Sequence, residues 1–315
     1  MASQNDVRLV ADQFAVELTS PLHDAAGGLP AYAATDRRTG NSDLMAVVVQ
    51  RRAPPRLRPL QVLDALHDAV LGPMAHGVGP GPDGQAGYYV ISATPPGPSL
   101  AATLQPWPEQ ALIHHVLRPA AHALERLHHA GVTHRAIRLN NVFQLRAGHP
   151  IVLGHAWAAP AAMHQPALFE PPYSAMCLPA GRGDGTIADD VYALGALLVV
   201  LALGQVPMAE LDEAEVLRRK VELGSYHAMA GDTRLSPIIA DLARGMLAED
   251  PDHRPSPALL LDPAAAVLAA LDLHRVTHRA IRIDNIFRAG MAAPVVLGTA
   301  WSAPPAQHQP ALFEP

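Results

Sequence analysis

The side chains best suited to chemistry cluster in the run His134-Arg135-Ala136-Ile137-Arg138-Leu139-Asn140-Asn141-Val142-Phe143. Imidazole can move protons or ligate a metal, guanidinium can hold phosphate, and a carboxamide oxygen can reach a hard cation. Elsewhere the candidates are sparse. Lys220 is the one lysine, so nearly all of the 23 basic residues are Arg. The one cysteine, Cys177, excludes an internal disulfide and fits a reducing compartment. The 17 His invite a metal reading, above all at His114-His115 and His128-His129. Adjacent histidines leave a helix in different directions, and no His-x-x-x-His pair is joined by Cys or carboxylate at ligand spacing. They read as a solvated face, and no metal site is expected.

The elements that must position the run come from periodicity and turn residues. A helical pattern over 106–130, with Pro108 in its first turn and Gly131 past its end, precedes the run, and the apolar strand Ile151-Val152-Leu153 follows it. Upstream, Phe14–Leu18, Ala31–Ala34, Asp43–Val49 and Tyr88–Ile91 read as strands. Gly27-Gly28 and Arg37–Gly40 read as turns, Leu60–Leu71 as a helix and 72–84 as a Gly/Pro-rich loop. Downstream, Asp189–Leu203 is an apolar helix, too short to span a membrane. Charged helices follow at Asp212–Leu223 and Ser236–Glu249.

Helix, loop, strand, with His-Arg opening the loop and Asn closing it, resembles the catalytic loop of protein kinases, H-R-D-L-x-x-x-N. His134, Arg135 and Asn141 match; Ala136 stands where the family has its catalytic Asp. Asp190-Val191-Tyr192-Ala193-Leu194-Gly195 resembles the family's buried helix, whose Asp anchors the catalytic-loop backbone. Glu170, in Phe169-Glu170-Pro171, and Arg254, in His253-Arg254-Pro255, sit where the family has a buried ion pair. The resemblance covers about residues 10–262. It implies an α+β, bilobal, kinase-like fold, with a small β-rich lobe over 10–100 and a mainly helical lobe over 101–262. Tyr88–Leu100 would run into a hinge, where backbone groups at Ser92, Ala93 and Thr94 would hold adenine.

The same resemblance exposes what phosphotransfer would lack. Val48 or Val49 takes the place of the phosphate-binding lysine, and no Glu lies between Glu17 and Glu109 to pair with one. The metal-binding D-F-G position reads Gly154-His155-Ala156, with His155 as a packing residue. Arg138 stands where many kinases carry a lysine beside the catalytic Asp. Ala136, Arg138, Asn141 and Gly154 are thus degenerate catalytic positions, while His134, Arg135, Asp190, Glu170 and Arg254 are retained scaffold.

Residues 262–315 repeat 118–171 without a gap, and Val276–Arg282 copies 132–138 letter for letter. The copy lacks strands to precede it and the apolar helix to cover it. It reads as an incomplete second copy over 263–315 that packs poorly. It would be a remnant of a tandem protein, a recombination product, or a segment that competes with 118–171 and permits domain swapping.

The functional expectation is a pseudokinase, a regulatory or protein-binding scaffold without phosphotransfer. No Mg²⁺ is expected, and ATP binding through the hinge stays open. The alternative is an atypical protein serine/threonine kinase or ATP-binding protein using Arg51 or Arg52, Asp64 or Asp68, and Asn141. A third class is an oligomerisation unit built on the repeat. The net charge of −6, without a basic tract, argues against nucleic acid as a partner. The polar N-terminus and the lack of a membrane span suggest a cytoplasmic protein. The protein partner is not identifiable from the sequence.

Overall fold

The computed structural model describes residues 7–50, 55–63, 70–267, 286–287 and 296–297. Short runs rich in apolar residues form strands β1 (Val7–Val10), β2 (Phe14–Pro21), β3 (Ala31–Asp36) and β4 (Leu44–Gln50). A short helix α1 (Leu57–Leu63) precedes β5 (Pro73–Pro80) and β6 (Ala86–Ala93). These six strands make one antiparallel sheet in the order β1-β2-β3-β4-β6-β5.

The sheet corrects the expected fold class. Its end strands β1 and β5 pack against each other, and a Cβ placed on Gly77 of β5 would already touch Val10 of β1. The sheet is therefore curled nearly closed, like a barrel, and is not the small lobe of a kinase-like pair. Neighbouring residues of β4 serve its two faces. Leu44, Ala46 and Val48 join Phe14, Val16, Tyr89 and Ile91 inside the curl. Met45 and Val47 join one apolar core that runs on through the helices to Leu194 and Leu242. The α+β content stands; the bilobal kinase-like arrangement does not.

Strand β5 replaces the loop expected over 72–84. Its Pro and Gly residues hide the strand pattern, and they are tolerated because β5 is an end strand paired on one side with β6.

The helical part begins with three consecutive pieces: α2 (Glu109–Ala111), a π-helical stretch at Leu112–Leu117, and α3 (Arg118–His129). Gly131, at φ +70°, turns the chain out of α3 into the loop. A 3₁₀ turn at Leu139–Asn141 leads into the hairpin β7 (Val142–Gln144) and β8 (Ile151–Leu153). The short α4 (Pro172–Ala175) follows. Next is α5 (Ile187–Leu203), buried almost all round, as its uninterrupted apolar sequence dictates. Helices α6 (Glu213–Leu223), α7 (Ser225–Ala230), α8 (Pro237–Met246) and α9 (Pro257–Leu260) follow; α7 and α8 pack on α5, α6 on α7, and α9 on α3. Gly195 lets α8 approach α5: a Cβ there would fall 2.7 Å from Met246 Cβ.

Most of the repeat, and with it the expectation that 263–315 packs poorly, lies outside the described residues. The two strands that are described, β9 (Ile286–Phe287) and β10 (Val296–Leu297), pair Ile286 with Leu297 and Phe287 with Val296. The equivalent positions of β7 and β8 pair Val142 with Leu153 and Phe143 with Val152. The copy thus keeps the hairpin register of the original.

Candidate functional site

The loop at 134–141 is held from below by α5. Thr186 and Asp189 form a capping box at its start, with Thr186 N donating to Asp189 Oδ2 at 2.8 Å. The next residue, Asp190, is 1% exposed and points into the loop. Its Oδ2 accepts from His134 N at 2.7 Å and its Oδ1 from Arg135 N at 2.8 Å. His128 Nε2 lies 2.8 Å from Asp190 Oδ2. Burial pushes the Asp190 carboxyl up, but the His128 contact and the loop amides outweigh it and hold the pKa below the usual value. The solvated-face expectation therefore fails for His128, while His129 is exposed.

Arg135 has φ +56°, a left-handed conformation that non-glycine residues adopt at a cost. Its side chain shows what holds it there. Nη2 donates to Glu170 Oε2 at 2.8 Å and to Ser174 Oγ at 3.2 Å, and Nη1 lies 3.4 Å from Asp189 Oδ2. The expected Glu170–Arg254 pair is not formed. Arg254 instead approaches Asp189 Oδ1 at 3.6 Å and donates to the carbonyls of Ala188, Ala248 and Glu249. All five scaffold residues are thus buried in one neighbourhood, with the ion-pair partners exchanged.

The other end of the loop is different in kind. Asn141 Nδ2 donates to the carbonyls of Ala136 at 2.9 Å and His155 at 3.0 Å, so its amide staples the loop to the chain after β8. Gly154 N donates to Asn141 O at 2.7 Å. A Cβ on Gly154 would overlap Asn141 Oδ1 and fall 2.6 Å from Asn141 O, so no side chain fits at that position. Arg138 is 4% exposed, and its Nη2 donates to Gly27 O at 2.7 Å. A Cβ on Gly27 would in turn lie 2.7 Å from Asn141 Oδ1 and 3.0 Å from Arg138 Nη2. The turn after β2 is thus folded down onto Arg138 and Asn141. Burial lowers the Arg138 pKa to about 10.

Beside Ala136 lies a small pocket, partly open to solvent, with room for about one water molecule. His134, Arg135, Arg138 and His164 line it together with small apolar residues. His134 is fully buried, which pulls its pKa down to about 4 despite nearby Asp190. His155 packs edge-on against Trp157, with ring centroids 5.0 Å apart, and burial lowers its pKa well below the ordinary value. Both imidazoles are therefore neutral at pH 7.

The hinge residues lie at the C-terminal end of β6, an inner strand of the sheet. Ala93 and Ser92 pair with Leu44 and Met45 of β4, and Thr94 N donates to Asp43 O at 3.1 Å. Of the residues proposed for an altered nucleotide site, Arg51, Arg52, Asp64 and Asp68 lie outside the described residues. Among the described residues, no three His, Cys, Asp or Glu side chains are grouped to hold a metal ion, and no helix is long and apolar enough to cross a membrane.

Sequence reasoning passed over several residues that build the site. Arg56 donates to the carbonyls of Thr133 and Ala156 at 3.0 Å each and pairs with Asp184 at 2.8 Å. Gln165 Nε2 donates to Ile137 O at 2.8 Å. Lys220 is fully buried under Tyr192 and donates to the carbonyls of Ala167, at 2.7 Å, and Glu170. Only Asp189 carried a local signal, the Thr-x-x-Asp spacing of a capping box.

No protein-family model and no curated protein matches the chain.

Proposed function

We propose that the chain is a non-catalytic regulatory or protein-binding scaffold, related in its loop motif to protein kinases but without phosphotransfer, and that it works in the cytoplasm. The observation that supports this reading best is Gly154. The position that would carry a metal-binding carboxylate has no room for a Cβ, because the Asn141 amide and backbone occupy that space. Hard cations need several oxygen ligands, and Asn141 Oδ1, buried without a hydrogen-bond partner, is the one side-chain oxygen against Gly154 among the described residues. The Gly27 turn seated on Arg138 supports the same reading, since it occupies the guanidinium's Nη2, a group that could otherwise hold phosphate. Met176 and Leu178, exposed between α4 and α5, offer apolar surface of the sort that partner proteins cover.

A titration with ATP, with and without Mg²⁺, followed by thermal shift and calorimetry, tests the reading. The scaffold predicts no Mg²⁺-dependent stabilisation at millimolar ATP. A Mg²⁺-dependent shift would overturn it in favour of an atypical kinase.

A further inference from the structure

Arg138 and His134 both line the pocket beside Ala136, and both are buried, at 4% and 1% exposure. Each carries an N–H that the described residues leave without a proper acceptor. Arg138 gives Nη2 to the Gly27 carbonyl, and its Nε is unpartnered. Among the described residues no carboxylate is near enough to offset its burial. His134 Nδ1 accepts from Ala136 N at 3.2 Å, which places the ring proton on Nε2. That Nε2 has no well-formed hydrogen bond, only a weak approach to the Gly154 backbone. Buried polar groups in folded chains are nearly always hydrogen-bonded, and an ordered water serves where the protein supplies no partner. Here the space beside the two donors has room for about one water molecule. Ala136, Ala161 and Ala162 form other walls, and their methyl groups offer neither donor nor acceptor.

We infer that the pocket beside Ala136 is the site of a single held water molecule, whose oxygen accepts from Arg138 Nε with His134 Nε2 as its second donor. Its hydrogens face the open mouth, where His164 stands exposed. The water joins the two walls of the pocket, the loop at 134–138 and the segment 156–164. It also gives the buried guanidinium the partner that no side chain supplies. Water carries no counter-charge, so Arg138 is solvated without being neutralised. The inference does not rest on the scaffold reading: a Mg²⁺–ATP response would overturn that reading and leave the water site untouched.

The test is nuclear magnetic resonance of the full chain labelled with ¹³C at its alanine methyl groups, reading magnetisation transfer from water. A held water gives the methyls of Ala136, Ala161 and Ala162 water cross-peaks of opposite sign in the laboratory and rotating frames. These are expected, and they should not change with pH, as a signal relayed by N–H exchange would. Absent cross-peaks, or the same-sign peaks of passing solvent, overturn the inference. Two variants locate the water. Ala136→Val fills its space with methyl groups, and Arg138→Met removes its main donor. Each is expected to abolish the cross-peaks at Ala161 and Ala162. Their survival in either folded variant means that the water is not held where the inference puts it, which overturns it equally. Should Ala136→Val fail to fold, Arg138→Met decides alone.

Discussion

The two ends of the loop at 134–141 treat charge in opposite ways. At the His134–Arg135 end, every charge meets its complement: Asp190 takes two backbone amides and His128, and Arg135 takes Glu170 and Asp189. At the Ala136–Asn141 end, Arg138 meets, among the described residues, only a carbonyl, and Asn141 and Gly154 close on each other through backbone. The first end holds a strained residue in place; the second leaves space and an uncompensated cation. Among the described residues, buried charges are paired where they shape the loop, and the one buried charge at the other end, Arg138, is not.

The comparison breaks most visibly at Asp190. Asp190→Ala leaves two buried amides without an acceptor and frees the left-handed Arg135. It should cost about 4 kcal/mol, or prevent folding altogether. Asp190→Asn keeps one acceptor oxygen and should cost less. Urea unfolding measures both, and equal losses would show that charge, not acceptor geometry, anchors the loop.

A paired substitution sharpens the contrast. Arg135→Met strands buried Glu170 and should cost about 3 kcal/mol. Arg138→Met removes a buried cation with no acid beside it among the described residues, and should stabilise the fold by roughly 1–3 kcal/mol. If the two arginines cost the same in urea unfolding, the difference between the ends is not electrostatic.

Gly154 tests whether the vacated end is closed or merely empty. Gly154→Ala forces a Cβ against Asn141 and should cost about 2 kcal/mol in thermal unfolding. Gly154→Asp should cost at least as much and bring no Mg²⁺ binding, because the obstacle is the Cβ itself. A tolerated Gly154→Asp with Mg²⁺-dependent stabilisation would mean that a cation site opens with little rearrangement.

What the sequence disclosed follows the same division. Asp190, His134 and Glu170 were legible because a short motif fixes their spacing along the chain, and α5 because its apolar run leaves no other reading. The curl of the sheet was not. It depends on β1 meeting β5, a contact between residues more than sixty positions apart, and β5 carries Pro and Gly where a strand is read from β-branched residues. The ion-pair exchange was hidden for a related reason. Spacing says that Glu170 and Arg254 are present, whereas Arg135's backbone conformation decides which arginine reaches Glu170. His128 looked like half of a solvated pair because helical periodicity cannot see that α5 brings Asp190 beneath it.

A last effect, spread over pH, concerns a cation held by neither device. Lys220, the chain's only lysine, donates to the carbonyls of Ala167 and Glu170, the segment that carries Arg135's partner. Burial pulls its pKa from 10.5 down to about 7, against the opposing pull of Glu249 and Glu170. In the unfolded chain the amine keeps its proton up to the ordinary value. Between pH 7 and pH 10 the unfolded state therefore binds more protons, and stability rises with pH; below pH 7 both states are charged and the slope vanishes. The rise should approach about 1 kcal/mol per pH unit between pH 8 and 9. Above pH 10 the buried Tyr192 hydroxyl, whose pKa burial pushes up, opposes it, so the window closes there. Urea unfolding of wild type and Lys220→Met at pH 6, 7, 8 and 9 measures the effect. Wild type should gain on the variant only above pH 7. A parallel pair of curves would mean that Lys220 keeps its proton when folded, held by carbonyls as firmly as Arg135 is held by carboxylates.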